Sequence, residues 1–275
     1  MNISIQQKEN CVCFCHLFQH LKAFSTNVNI MFEESRMYIQ TMDSARISII
    51  EAVLPAAWFQ TYELETPVSI GVNTNILFKI LNSREPSQNI SIQLDSENND
   101  KLFIHFHSDN KAVFDKFFEI PLIEIDSEMM QIPEYESNAD LTLCSTNFAN
   151  IIGQLKMFGD NLNIKCNEES LVLSSSSEES GKMNVNIQID DLNSFAINDG
   201  QELNLAFSLT FLGNICLYYK IAKEIEIQLT EGFPLRARYY LGSGNEPVDS
   251  SAESATSATL ATLTFYLAPK IDDDE

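Results

Sequence analysis

The sequence has 275 residues, of which 39 are acidic and 17 basic, so its net charge at pH 7 is −22 and its isoelectric point is near 4.4. This balance excludes a general affinity for phosphate backbones, which needs Lys and Arg to displace counterions, but it permits a local basic surface. The length predicts two domains or one large one, and no stretch approaches the roughly 20 apolar residues of a membrane-spanning helix. The polar first ten residues lack an apolar signal core, so we expect a soluble intracellular protein without a membrane partner.

The first half of the chain alternates helical and extended patterns. Apolar residues at i, i+3, i+4 and i+7 predict an amphipathic helix over 10–24. A second helix is predicted over 75–82, with Ile76, Leu77, Ile80 and Leu81 directed inward. Alternating apolar residues predict a hairpin with strands 90–94 and 102–106 and a turn at 98–100. Further strands are predicted over 37–40, 46–51, 61–65 and 111–121.

The second half repeats this order, which indicates an internal duplication. A strand over 141–144 precedes a third helix over 147–158. A fourth helix is predicted over 207–222, with an inner face of Leu209, Leu212, Cys216 and Tyr219. Further strands are predicted over 162–166, 171–173, 183–189, 225–229, 235–241 and 263–267. Short one-sided helices on amphipathic sheets predict the α+β fold class, in two similar domains.

Three segments interrupt the repeat. Residues 124–138 are acidic and extended, and we predict that they connect an N-terminal domain, 1–123, to a C-terminal domain, 139–275. Residues 242–258 are rich in Gly, Ser and Ala and predict a flexible inserted loop. The acidic tail, 271–275, is predicted to be disordered.

No residue pattern indicates catalysis, a metal site or a cofactor. The six cysteines include no CxxC pair, so they predict free, mostly buried thiols rather than disulfides or a zinc site. His105 and His107 share a strand face, but no further histidine or convincing carboxylate partner is placed nearby in the sequence, so we predict no metal site. The protein is therefore expected not to be an enzyme.

Five colinear motifs resemble the proliferating cell nuclear antigen (PCNA) family of DNA sliding clamps. They are MYIQTMDSARISII (37–50), GVNTNILFKIL (71–81), MQIPE (130–134), the segment 148–160 that ends in Phe-Gly-Asp, and FYLAPKI (265–271). The resemblance covers nearly the whole chain. It implies a homotrimeric ring of two-domain subunits, with helices lining the hole and sheets outside. Such a ring encircles double-stranded DNA as a polymerase processivity factor in replication and repair.

The resemblance also implies a DNA-facing surface on the four helices. Its cationic residues would be Lys8, His16, His20, Lys22, Lys79, Lys156, Lys220 and Lys223. This set is sparse, because Asn150, Gly153, Met157 and Thr210 stand where the family often has basic residues. We therefore expect a weak, sequence-independent grip on DNA, with the histidines contributing when protonated, while the acidic exterior repels DNA elsewhere.

Two further surfaces follow from the resemblance. A pocket for the PCNA-interacting peptides of polymerases and other clients would be formed by Met42, Met130, Ile132, Pro234, Tyr266, Ala268 and Pro269. Ring closure would pair the edge strands 112–120 and 182–189, through Ala112, Phe114, Lys116, Phe118, Lys182, Val185 and Ile187. A clamp loader is an expected partner. The expected location is the nucleus, or a viral replication site if the chain comes from a large DNA virus.

Other interpretations stay open at this point. One is a subunit of a heterotrimeric checkpoint-type clamp, and another is a viral processivity factor that works without a closed ring. A third, from a different class, is a nucleic-acid-metabolising enzyme, which would need a cluster of carboxylates or histidines.

Overall fold

The computed structural model describes residues 1–94, 100–126, 129–242 and 260–270. The predicted inserted loop and acidic tail therefore lie almost entirely outside the described residues. The chain forms two compact units. Unit 1 comprises Met1–Ser44, Ile50–Met130 and Tyr240–Leu263, and unit 2 comprises Ala45–Ile49, Gln131–Tyr239 and Thr264–Glu275. The change from unit 1 to unit 2 at Met130 falls inside the predicted connector, 124–138.

The first eleven regular elements contain two helices and nine strands. The helices are α1 (Lys8–Leu21) and α2 (Thr74–Leu81). The strands are β1 (Asn2–Ile5), β2 (Asn27–Phe32), β3 (Arg36–Met42), β4 (Ser48–Pro55), β5 (Thr61–Glu63), β6 (Val68–Asn73), β7 (Asn89–Leu94), β8 (Lys101–His107) and β9 (Lys116–Pro121). A short 3₁₀ turn, Ala56–Trp58, precedes β5.

The next eleven elements have the same composition. The helices are α3 (Ser145–Leu155) and α4 (Leu209–Cys216). The strands are β10 (Ala139–Cys144), β11 (Asn161–Cys166), β12 (Ser170–Ser177), β13 (Gly181–Gln188), β14 (Ser194–Ile197), β15 (Leu203–Ser208), β16 (Glu224–Leu229), β17 (Leu235–Leu241) and β18 (Ala261–Leu267). Turns of 3₁₀ helix occupy Ile189–Asp191 and Leu217–Lys220.

The strand pairing confirms the predicted duplication. Each half reads strand, helix, five strands, helix and three strands. In unit 1 the strand order is β5-β1-β7-β8-β9, and the equivalent strands of unit 2 follow the order β14-β10-β16-β17. Strands β4-β3-β2-β6 of the first half have the same order as β13-β12-β11-β15 of the second. Both halves therefore have one α+β architecture, as the sequence predicts.

Each helix buries one apolar stripe against the sheets of its own unit. In α1, Phe14, Leu17, Phe18 and Leu21 are all at most 2% exposed, which confirms the predicted inner face. Alternation in β7 and β8 buries Ile90, Ile92, Ile104 and Phe106 and confirms the two predicted strands, which pair antiparallel. Of the predicted turn at 98–100, residues 98 and 99 lie outside the described residues. These elements form because the apolar period is near 3.6 in the helices and 2 in the strands.

Several predicted details of the helices are wrong. The fourth helix is shorter than predicted, because Phe207 belongs to β15, where it pairs with Leu162. After Cys216 the chain tightens into 3₁₀ geometry, which changes the angular spacing and buries Tyr218 instead of Tyr219. Ile76 is 41% exposed rather than inward, because the narrow inner stripe of α2 is formed by Thr74, Leu77 and Leu81.

The predicted strand 111–121 begins only at Lys116. Asn110 starts a turn in which its side-chain oxygen accepts a hydrogen bond from the Ala112 amide at 3.0 Å, and its carbonyl accepts one from Val113. Such Asx turns compete with strand pairing. Ala112 and Phe114, two of the predicted interface residues, therefore lie in a turn that precedes β9.

All six cysteines are free thiols, and Cys11, Cys13, Cys166 and Cys216 are buried, as predicted. Burial raises the pKa of Cys13 and of Cys216 to about 12. Within the described ranges, no helix has the length and apolar character needed to cross a bilayer.

Candidate functional site

The four α-helices carry almost no acidic side chains. They span 14, 8, 11 and 8 residues and contain a single acid, Glu9. An even distribution of the 39 acidic residues over 275 positions would place about six in these helices. Their exposed positions hold mainly amides, hydroxyls and lysines. A surface built from these helices is therefore close to neutral or weakly basic, although the chain as a whole is strongly acidic.

The predicted cations of unit 1 lie on or beside α1 and α2, which pack against each other. Lys8, Lys22 and Lys79 are exposed, and His16 and His20 are half-buried. The two histidine rings are nearly parallel, with centroids 6.3 Å apart. Lys22 Nζ lies 3.8 Å from the centre of the Phe78 ring, so a cation–π contact joins the end of α1 to α2.

The predicted cations of unit 2 lie at the helix C-termini. Lys156 caps α3, and Lys220 and Lys223 follow α4; all three are exposed. Lys156 Nζ lies 3.8 Å from the place that a Cβ atom would take on Gly213, so its ammonium group lies beside α4. Cations at these ends also interact favourably with the helix dipole.

The two predicted pairing strands each end a sheet. β9 is the last strand beside β8, and β13 is the last strand beside β12. On β9, Phe118 is half-buried and Phe117 is 74% exposed. On β13, Lys182 is exposed, whereas Val185 and Ile187 are half-buried. Lys116 is engaged within its own chain, because its Nζ donates to the Ser83 carbonyl at 2.6 Å.

In unit 1, three polar contacts fasten the connector, and the residue directly before it, across adjacent strands. On β6, the Gly71 carbonyl accepts a hydrogen bond from the Ile123 amide at 2.9 Å. On β2, the Asn29 amide group donates to the Ile125 carbonyl at 3.1 Å. On β3, Gln40 accepts from the Met130 amide at 2.8 Å and donates to its carbonyl at 3.0 Å. Asn29 and Gln40 were not predicted, and only their polarity inside apolar strands could have indicated this role.

In unit 2, an aromatic pair holds the second part of the connector. The Tyr135 hydroxyl donates to the Pro234 carbonyl at 2.8 Å, and its ring stacks on Phe233 at 4.7 Å between centroids. Phe233 is 42% exposed. Pro234 is among the predicted pocket residues, whereas these two aromatic neighbours were not predicted. Their positions three residues beyond Ile132 and directly before Pro234 are the available signal.

The closing segment, residues 265–270, is held on both sides within unit 2. The Ala268 amide donates to the Ile47 carbonyl at 3.0 Å, and the Lys270 amide donates to the Ala206 carbonyl at 2.8 Å. Ala268 and Pro269 are half-buried between these contacts. Tyr266 is only 8% exposed, so its side chain is packed into the protein rather than protruding from the surface.

The predicted pocket residues fall into two groups. Met42 and Met130 belong to unit 1 and are half-buried. The group in unit 2 consists of Ile132, Pro234, Tyr266, Ala268 and Pro269. Among the described residues, 131–134 take part in no hydrogen bond, and Gln131, Pro133 and Glu134 are exposed. This part of the connector therefore has backbone groups available to a ligand.

The surroundings of His105 and His107 differ from the prediction. Asp115, from the turn before β9, places its carboxylate 3.2 Å from His105 Nε2 and 2.9 Å from His107 Nδ1. The expectation that no carboxylate partner lies near these histidines is therefore wrong. The shorter β9 explains the error, because residues predicted to be in a strand form a turn that folds back beside β8.

Comparisons with known proteins agree with this architecture. The family model for the N-terminal domain of proliferating cell nuclear antigen matches residues 6–129, and the model for its C-terminal domain matches residues 131–247. Proliferating cell nuclear antigen of Chaetomium thermophilum is 25% identical over 260 residues, which cover 93% of each chain. Proliferating cell nuclear antigen 2 of Plasmodium falciparum is 25% identical over 265 residues, which cover 94% of this chain and 96% of its own. The chain therefore belongs to the proliferating cell nuclear antigen family, the DNA sliding clamps that act as processivity factors in DNA replication.

Proposed function

We propose that three copies of this chain close into a ring through β9 of one subunit and β13 of the next. The observation that carries this proposal is the repeated strand order. In that order β18 is the equivalent of β9, and β4 is the equivalent of β13. The residues beside β18 and β4 are already joined in unit 2, where the Ala268 amide, directly after β18, bonds to the Ile47 carbonyl, directly before β4.

The equivalent strands β9 and β13 are not paired with each other within the described part of the chain. β9 and β13 each end their sheets and present unpaired backbone groups. Half-buried Phe118, Val185 and Ile187 give each edge an apolar side on which a neighbouring strand could pack. Because the two edges differ, the contact is head-to-tail, and such contacts close into rings when the rotation allows.

Within this ring the helices are proposed to face double-stranded DNA. Their single acid in 41 residues removes the repulsion that the rest of the surface would exert. The exposed lysines then supply weak phosphate contacts without reading base sequence. A low density of cations favours sliding, because few contacts must break at each step.

The residues predicted for the peptide pocket are proposed to bind client peptides, with Phe233 and Tyr135 added. Gln40 binds the connector at Met130, and Tyr135 anchors it by binding the Pro234 carbonyl. Residues 131–134, between these two anchors, offer their backbone to the bound peptide. Methionines at positions 42 and 130 can adapt to different apolar client side chains. The clients would be DNA polymerases and repair proteins that carry PCNA-interacting peptides.

The same proposal includes the remaining expectations. The protein acts as a scaffold without catalysis, at sites of DNA replication in a nucleus or in a virus-infected cell, and a clamp loader opens the ring. The checkpoint-type heterotrimer is less well supported, because the family models and relatives that match nearly the whole chain are those of proliferating cell nuclear antigen.

Solution mass tests the proposal. Wild type should have a mass near three times 31.1 kDa, whereas Val185→Asp and Phe118→Asp should each be monomeric. A mixture of these two variants should form dimers, because each retains the edge that the other lacks. Asn186→Asp, on the exposed face of the same strand, is the control and should remain trimeric. A monomeric wild type, or a mixture of variants that stays monomeric, would contradict the proposed pairing.

A further inference from the structure

We propose that His105, His107 and Asp115 form a binding site for one divalent transition-metal ion of the Zn²⁺ class. The site lies on the face of β8 opposite its buried side, since Leu102, Ile104 and Phe106 are directed into the core of unit 1. It is distinct from the helices, the connector and the closing segment. It also goes beyond the clamp function, which requires no metal.

The distances between the donor atoms suit a tetrahedral ion. The three donor atoms all lie within 4.8 Å of one another. The Asp115 carboxylate lies 3.2 Å from His105 Nε2, and its two oxygens lie 2.9 and 3.1 Å from His107 Nδ1. With bonds of about 2.0–2.1 Å, two ligand atoms of a tetrahedral Zn²⁺ are roughly 3.3 Å apart. With small side-chain movements, an ion can therefore take the place of the protons in the hydrogen bonds between the histidines and Asp115.

Each imidazole ring has a further side chain beside it. His107 Nε2 lies 3.4 Å from an Asp109 carboxylate oxygen, so when an ion replaces the proton on Nδ1, the Nε2–H group can be directed at this carboxylate. This carboxylate–histidine arrangement is typical around metal-binding histidines. His105 stacks on Phe117 with centroids 4.1 Å apart and an interplanar angle of 9°, which restricts its rotation.

The donor set determines the class of ion. Imidazole nitrogen favours Zn²⁺, Cu²⁺ and Ni²⁺, whereas Ca²⁺ and Mg²⁺ need oxygen ligands in larger numbers. Two imidazoles and one carboxylate are a common three-ligand set for Zn²⁺, with water in the remaining position. The side chains of His105, His107 and Asp115 are 33, 50 and 36% exposed, so an ion can reach them from solvent.

Binding would connect β8 to the turn that precedes β9. In the absence of an ion, Asp115 is held there by hydrogen bonds to exposed histidines, which are weak because water competes for them. A metal bridge would fix the Asp109–Asp115 turn beside the edge strand. Hydrogen exchange of this turn should therefore slow when Zn²⁺ is added.

Zn²⁺ titration of the full-length protein in competition with a chromophoric chelator tests the site. Wild type should bind one equivalent. The double variant His105→Gln/His107→Gln should lose it, and Asp115→Asn should bind roughly tenfold more weakly or worse. The control is His16→Gln/His20→Gln, which removes the other two of the four histidines and should leave this equivalent unchanged.

The readouts do not depend on DNA or client peptides, and exchange is compared within each protein with and without Zn²⁺. Zn²⁺-dependent slowing of exchange at 109–115 should occur in wild type and in the control, but not in the His105/His107 variant. Equal affinity in wild type and that variant would overturn the proposal, since the ion would then lie elsewhere, for example on Cys15 or Cys144. An Asp115→Asn variant with unchanged affinity would exclude the three-ligand site, as would a wild type that binds no Zn²⁺ at micromolar concentrations.

Discussion

Replacing Gly71 with alanine should detach the start of the connector from β6. A Cβ atom on residue 71 would lie 2.1 Å from the Ile123 carbonyl oxygen and 3.0 Å from Ile125 Cγ1. Since such contacts do not occur below about 3.0 Å, the connector would have to move by about 1 Å. The 2.9 Å hydrogen bond from the Ile123 amide to the Gly71 carbonyl would be lost with it.

The cost has two parts. The lost hydrogen bond contributes about 1 kcal/mol, and the steric displacement adds about 1–2 kcal/mol. The connector should then open roughly 30- to 150-fold more often, because each 1.4 kcal/mol is a factor of about ten. Hydrogen exchange of a peptide that includes Ile123 measures this opening directly.

The matched control is Gly153→Ala on the exposed face of α3. A Cβ atom there meets nothing within 4 Å, and alanine favours helix over glycine by about 0.5–1 kcal/mol. This variant should leave exchange at Ile123 unchanged and slightly stabilise α3. If Gly71→Ala left Ile123 as protected as in wild type, the proposed anchoring of the connector would be refuted.

Three further changes have expected outcomes. Arg46 has a φ of 59°, which strains the backbone of a residue other than glycine. Arg46→Gly should therefore raise the free energy of unfolding by up to about 1 kcal/mol, and Arg46→Val should lower it, as measured by urea denaturation. Equal effects of the two substitutions would contradict backbone strain at this residue. Asn150→Glu on α3 should weaken DNA binding roughly 3- to 10-fold at low salt in a fluorescence anisotropy assay, whereas Asn204→Glu on β15 should not. Equal losses of affinity in the two variants would contradict the proposal that the helices face DNA. The hydrogen bond to Asp115 raises the pKa of His107. The stability that this histidine provides should therefore be complete below about pH 6.5 and be lost as the pH rises through the raised pKa. In Asp115→Asn, NMR titration should show that the pKa of His107 returns towards its ordinary value.

The sequence predicts most of the fold because its periodic patterns are strong. The four helices and the strand alternation follow from the apolar period, and the duplication follows from the order of elements. The predicted strand over 235–241 coincides with β17, whose buried residues Leu235, Ala237, Tyr239 and Leu241 alternate strictly. Local pattern is sufficient in such elements because one face is buried and the other is not.

Details that depend on contacts distant in sequence were missed. Gln40 and Met130 are 90 residues apart, and no local pattern indicates that this glutamine binds the connector. Asp115 was expected in a strand, yet Asn110 forms a turn that brings its carboxylate to His105 and His107. Tyr218 is buried where Tyr219 was predicted to be, because apolar spacing alone does not indicate a change from α to 3₁₀ geometry. Most of these errors concern side-chain partners and element ends, where tertiary contacts outweigh local preference. Five strands, β1, β2, β6, β14 and β15, were not predicted at all.

The acid content of the helices could have been found from the sequence. Counting only lysines and histidines suggests a sparse DNA-facing surface. Counting acids as well shows that the helices differ from the rest of the chain mainly by lacking negative charge. In a protein with a net charge of −22, this absence is the more informative signal for a DNA-facing surface.

Topological retention on DNA is the most direct test of a clamp that encircles its substrate. The protein would be loaded onto nicked circular DNA by a clamp loader, washed at high salt to remove electrostatic binding, and quantified before and after a single restriction cut. A closed ring should remain on the circle and be released when the cut provides ends from which it can slide. Equal retention on circular and cut DNA, or complete loss from the circle in high salt, would contradict the proposed ring.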